Sequence, residues 1–151
     1  MLREELNTAL KEAMKSKDQT TLSTVRLILA ALKDRDIQAR TEGNSDGLNE
    51  DQILEMLQKM VKQRKESVDF YEKGGRGDLV DKEKAEIKVI ERFLPQPMSE
   101  EEVQAAVDAT IAELEADSVK DMGKVMGTLK QRHAGRMDFT RASQMVKQQL
   151  S

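Results

Sequence analysis

Phe93-Leu94-Pro95-Gln96-Pro97-Met98-Ser99-Glu100-Glu101-Glu102 is the stretch that decides the architecture. Proline lacks the backbone N–H, clashes with the preceding turn and pushes the residue before it out of the helical region. Two prolines, one residue apart, therefore end any helix arriving from the N-terminal side, and the chain has no others. Ser99 and Glu102 then read as a capping box, Ser-x-x-Glu, which starts a new helix. Glu100, Glu101 and Glu102 also sit at the positive end of that helix's dipole. A stop followed at once by a start predicts a boundary. The reading is an N-terminal helical domain over 1–94, a linker over 95–98 and a C-terminal helical domain over 99–151.

Beyond Ser99, Val103, Ala106, Val107, Ile111 and Leu114 recur at helical spacing and form an apolar stripe. Ser118 or Asp121 starts a short helix carrying Met122, Val125, Met126 and Leu129, which His133-Ala134-Gly135 breaks. Asp138 caps a final helix with Ala142, Met145, Val146 and Leu150 inward. On the other side of the prolines, Asp78 caps a helix whose apolar face is Leu79, Ala85, Ile87, Val89, Ile90, Phe93 and Leu94. The helix before it opens at an Asn49–Gln52 capping box and carries Ile53, Leu57, Met60 or Val61, Val68 and Tyr71. It ends at Gly74-Gly75, where a left-handed cap is easy. A loop at Gly43-Asn44-Ser45-Asp46-Gly47 separates it from a helix over 20–41, capped by Asp18 or Thr20, with Leu22, Val25, Leu29, Leu32 and Ile37. Residues 1–16 are a further amphipathic helix through Leu2, Leu6, Ala9, Leu10, Ala13 and Met14. The expected fold is all-α: a bundle of about four helices joined by the proline linker to a small three-helix domain.

Composition agrees. The 151 residues are 35% charged and only 3% aromatic, a balance that favours helices over sheets. The absence of cysteine excludes disulfides, thiolate metal sites and thiol nucleophiles. Met1-Leu2-Arg3-Glu4-Glu5 is charged at once and is no secretory signal, and no apolar run approaches the roughly 20 residues of a membrane helix. These readings make the cytoplasm the expected location and exclude a membrane partner.

Charge is unevenly placed. Residues 1–98 hold 18 basic and 19 acidic side chains, residues 99–117 hold 0 and 7, and residues 118–151 hold 7 and 2. An acidic helix is thus followed by a basic tail at +5, a clue to partners. In that tail Gly123 and Gly127 lie four apart, on one helical face. Each costs up to ~1 kcal/mol against Ala inside a helix. Close approach of another backbone, from a crossing helix or from RNA, would compensate. Lys120, Lys124, Lys130 and Arg132 flank the glycines, and Arg136, Arg141 and Lys147 follow. Such a set suits phosphates and shape. Phe139, the segment's one aromatic, reads as core, so the expected ligand is structured rather than single-stranded RNA.

Catalytic chemistry is not visible. His133, the one histidine, has no nucleophile-elbow serine to serve and is assigned no role. Glu100-Glu101-Glu102, Asp34/Asp36 and Glu83/Glu86 read as solvated helix faces or first turns. Gly74-Gly75-Arg76-Gly77 reads as a helix-breaking turn rather than an anion cradle, and there is no phosphate loop, dinucleotide fingerprint or HExxH. Met56, Met60, Met122, Met126 and Met145 fall on apolar faces and read as core filler in preference to an adaptable partner surface. No catalytic residue, metal ligand or cofactor is expected.

The run Lys120-Asp121-Met122-Gly123-Lys124-Val125-Met126-Gly127, with Gly135-Arg136 and Asp138, resembles the pattern of YqeY-like proteins. So do Lys62-Gln63-Arg64-Lys65-Glu66-Ser67, Phe70-Tyr71-Glu72-Lys73-Gly74-Gly75-Arg76-Gly77-Asp78-Leu79 and the stretch from Lys84-Ala85-Glu86-Ile87 to Glu102. The resemblance covers essentially the whole chain. It extends to the tail region of the B subunit of the tRNA-dependent amidotransferase and to appended domains of some glutaminyl-tRNA synthetases, where the domain is a tRNA-binding attachment and the chemistry lies elsewhere. It implies two helical parts and a non-catalytic adapter that binds tRNA, another structured RNA, or a tRNA-modifying or aminoacylating enzyme. The family label of carbon–nitrogen ligase with glutamine as amido-N-donor describes the larger enzyme, since this chain has neither an amidase triad nor an ATP-phosphate site. Lys124 and Arg136 are the implied phosphate contacts, and Gly123 and Gly127 the places of close approach. The alternative is a protein–protein interaction module without RNA. Oligomeric state is left open.

Overall fold

The computed structural model describes residues 1–151 as seven α-helices and one 3-10 turn, with no strand. The helices are α1 (Leu2–Ser16), α2 (Gln19–Thr41), α3 (Glu50–Lys73), α4 (Gly77–Glu91), α5 (Glu100–Glu113), α6 (Met122–His133) and α7 (Phe139–Leu150), with the 3-10 turn at Val119–Asp121 before α6. The chain divides into two compact units, Met1–Pro95 and Gln96–Ser151. No helix is long and apolar enough to cross a membrane.

Local chemistry sets most helix ends. Asn49 and Gln52 form one reciprocal capping box, and Ser99 and Glu102 the other. Asp138 accepts from the N–H groups of Thr140 and Arg141. Of the two caps open for α2, Asp18 takes the role and accepts from Thr21 N–H. Two ends differ from expectation, both on α4. Asp78 does not cap α4; it lies in the first turn and pairs with Arg76 at 3.1 Å. α6 starts as expected, with Ser118 at the cap position of the 3-10 turn and Asp121 at that of the helix, although neither side chain makes the capping bond. The Asp121 carboxylate accepts from Asp117 N–H at 3.1 Å instead, and that bond holds it below its ordinary pKa. α4 stops at Glu91, so Phe93 and Leu94 close its end as turn residues, half-buried against the core.

The core of the first unit is built from Leu6, Ile28, Ile53, Leu57 and Ile90, each at most 1% exposed. α3 packs most extensively on α4, while α1 and α4 both lie on α2. Each such side chain contributes roughly 1.5–3 kcal/mol by leaving water. Two carboxylates expected on solvated faces are buried here. Asp36 accepts two hydrogen bonds from Arg3, and Glu86 accepts one from Arg64 at 2.9 Å. Conversely Met14, Ile37 and, in the second unit, Leu114 lie on expected apolar stripes but are exposed, because no helix covers that flank of theirs.

In the second unit α5, α6 and α7 pack on one another around Val107, Val125, Leu129, Met137 and Val146. Met137, in the α6–α7 turn, is fully buried, a core position that helical periodicity could not flag. Met56, Met60 and Met145 are buried as expected, whereas Met122, Met126 and Phe139 are half-buried at the core's edge.

Candidate functional site

The acidic α5 and the basic residues after it meet within the second unit. Arg132, near the end of α6, makes a two-pronged pair with Glu113 at 2.6 and 2.7 Å. The guanidinium of Arg141 on α7 donates twice to Glu100 Oε1, at 3.0 and 2.7 Å. Arg136 lies 3.8 Å from Glu102 and donates through Nε to the Gln96 carbonyl at 2.9 Å, while its own carbonyl accepts from Met98 N–H. The Arg132 hydrogen bonds hold the Glu113 carboxyl below its ordinary pKa. Glu102 is lowered too, first by Ser99 N–H, then by the Ser99 hydroxyl, with Arg136 adding a smaller part.

The six cations singled out from the sequence thus divide in two. Arg132, Arg136 and Arg141 are each engaged with an α5 glutamate. Lys120, Lys124 and Lys130 are exposed and make no ion pair within 4.0 Å, and the same holds for Lys147. The near absence of balancing acids in residues 118–151 was therefore a property of the segment and not of the folded surface, because the balancing acids come from α5.

Gly123 and Gly127 are exposed on α6. A Cβ built at either would meet no heavy atom within 4 Å outside the local helix backbone. No crossing helix of this chain offsets their helix-propensity cost. The N-terminal half of α6 is consequently a bare strip of helix backbone, with Lys120 and Lys124 at its start and Lys130 one turn beyond.

His133 at the end of α6 has no carboxylate or hydroxyl partner. Burial, then the charges of Arg136 and Arg132, push its pKa down and favour the neutral imidazole. No group of three or more His, Asp or Glu residues is placed to hold a metal ion. In the first unit, Phe70 lies off the apolar stripe of α3 and carried no expected role. Its ring is 73% exposed and meets Tyr71 edge-on at 5.9 Å, beside the turn at Gly74-Gly75. An aromatic among charged neighbours on a helix was the available signal.

Comparison with known proteins gives a family and a set of relatives. Three fungal proteins named "Altered inheritance of mitochondria protein 41, mitochondrial" are similar. The protein from Eremothecium gossypii is 38% identical over 109 residues, 71% of this chain and 57% of its own length. That from Lachancea thermotolerans is 36% identical over 107 residues, covering 70% and 55%. That from Kluyveromyces lactis is 33% identical over 124 residues, covering 80% and 64%. The chain therefore spans less than two thirds of the length of these relatives. Their names overturn the cytoplasmic expectation. The absence of cysteine is equally compatible with other reducing compartments, so composition had no power to choose. The model of the family described as Yqey-like protein matches residues 3–150, and the chain belongs to that family.

Proposed function

We propose that the chain is a non-catalytic adapter of two helical domains, 1–94 and 99–151 joined by 95–98, whose C-terminal part binds tRNA or another structured RNA. The observation that carries this reading is the α6 strip, where two helical glycines face open space beside three exposed, unpaired lysines. Bare helix backbone lets a sugar-phosphate chain come close. Lysines without an ion pair can neutralise phosphates without first giving up a carboxylate. The resemblance to tRNA-binding tails of larger enzymes supports the same ligand. On this reading, amide transfer to misacylated tRNA belongs to a partner enzyme that the adapter accompanies.

The test is retention of total tRNA by the full chain across a salt series. The wild type is expected to bind at low salt and to weaken steeply as salt rises, and K120E/K124E/K130E to lose binding. Unchanged retention by the triple variant would overturn the site. A second reading, a protein–protein module, draws on the exposed Phe70, Leu27 and Ile37 of the first unit. It gains ground if tRNA does not bind and Phe70→Ala abolishes a stoichiometric, nuclease-resistant complex.

A further inference from the structure

We propose that Glu100 and Glu113 hold Arg141 and Arg132 away from polyanions, making α5 a built-in competitor for the cations of the second unit. The inference rests on the RNA-binding reading and adds how that surface is regulated. Residues 99–117 carry seven acidic and no basic side chains, so nothing on α5 itself neutralises them. Two of them, Glu113 and Glu100, find partners on α6 and α7, which bring guanidinium groups to 2.6–2.7 Å from the carboxylates.

A guanidinium presents its paired N–H groups in a planar fork, and a carboxylate occupies the same edge that a phosphate would use. Arg132 and Glu113 match in that two-pronged way, and Arg141 directs two N–H groups at one oxygen of Glu100. An arriving phosphate must displace the carboxylate and then lie beside it. Both pairs are open to solvent, with arginine side chains 46% exposed and their glutamates 53% and 67% exposed. They are therefore exchangeable and screened by salt rather than locked by burial. Lys120, Lys124 and Lys130 make no ion pair within 4.0 Å, and Asp121, whose carboxylate feels the charge of Lys124, accepts from Asp117 N–H instead. The surface thus has two tiers: Lys120, Lys124 and Lys130 available at once, and two arginines released only to a ligand whose phosphates outcompete a carboxylate.

The experiment compares two double variants of the full chain that remove the same charge from the same region. E100Q/E113Q removes the competitors, whereas E101Q/E115Q removes two acids that make no ion pair. Binding of total tRNA is measured over a salt series. E100Q/E113Q should tighten binding roughly tenfold at low salt and steepen the log–log salt slope by about 1.4–1.8, the value for two further phosphate contacts. E101Q/E115Q should leave the slope unchanged. Adding R132Q/R141Q to E100Q/E113Q should remove the gain, which separates released arginines from a general charge effect. Helical circular dichroism of each variant confirms folding. If both double variants behave alike, or E100Q/E113Q leaves the slope unchanged while K120E/K124E/K130E abolishes binding, this proposal falls and the adapter reading stands. If neither the wild type nor E100Q/E113Q binds, both fall.

Discussion

The guanidinium of Arg3 and the carboxylate of Asp36 are joined by two hydrogen bonds, at 2.7 and 2.8 Å, that tie α1 to α2. The junction reaches further. Arg3 also donates to the Leu48 carbonyl, Asp36 accepts from Leu48 N–H, and Glu50 accepts from Leu2 N–H. The ion pair thereby connects two helices and the loop after α2, and the neighbouring Leu2–Glu50 bond adds the start of α3.

The Arg3 hydrogen bonds outweigh burial and lower the Asp36 pKa from 3.8 to about 2. A carboxyl with a depressed folded value contributes stability above its unfolded pKa, and that contribution is lost as pH falls from about 3.8 through about 2. The shift corresponds to about 2 kcal/mol. Arg3→Ala should destabilise the first unit by about that amount at pH 7, with the Asp36-linked part of the difference from wild type falling away as pH drops through about 2. Urea melts at a series of pH values check it; a deficit that does not change with pH would show that Asp36 is not the linked group.

Gly47 has φ +79°, and a Cβ there would lie 2.5 Å from Asp36 Oδ1. Gly47→Ala must therefore adopt a left-handed conformation and also push the carboxylate off its partners, at an expected cost of about 2 kcal/mol or more. Gly43 shares the positive φ but has open space, so Gly43→Ala should cost only about 1 kcal/mol. Thermal melts of the two variants, compared side by side, test the contrast, and equal losses would contradict it.

Gly123→Ala and Gly127→Ala meet no atom and should each stabilise the second unit by up to about 1 kcal/mol through helix propensity alone. On the RNA-binding reading the same changes block close approach and weaken tRNA retention. Gain of stability with loss of binding is the expected pair of results; stability gained at no loss of binding would remove the glycines from the interface.

Arg64 and Glu86 join α3 to α4 with side chains only 15% and 11% exposed. Arg64→Ala should cost about 3–5 kcal/mol, because Glu86 is left buried without its cation. Replacing both residues by Leu should recover most of that loss. Denaturant unfolding of the single and double variants measures the coupling, and additive losses would count against it.

The helices and most of their ends were legible in the order of residues alone. Asn49 with Gln52, Ser99 with Glu102, and Asp138 act on backbone groups two or three residues away, so their chemistry is complete within a turn of chain. The prolines act on their immediate neighbours for the same reason. Which charges are paired inside the fold depends instead on how the helices pack. Arg3 and Asp36 lie 33 residues apart, Arg132 and Glu113 19 apart, and Arg141 and Glu100 41 apart. No local pattern records such partners. The same holds for Ile37 and Phe70, apolar side chains on well-formed helices left exposed by where neighbouring helices lie. A helix's spacing says which residues share a face, but only packing against other helices says which face is covered and which lysines keep their charge for a ligand.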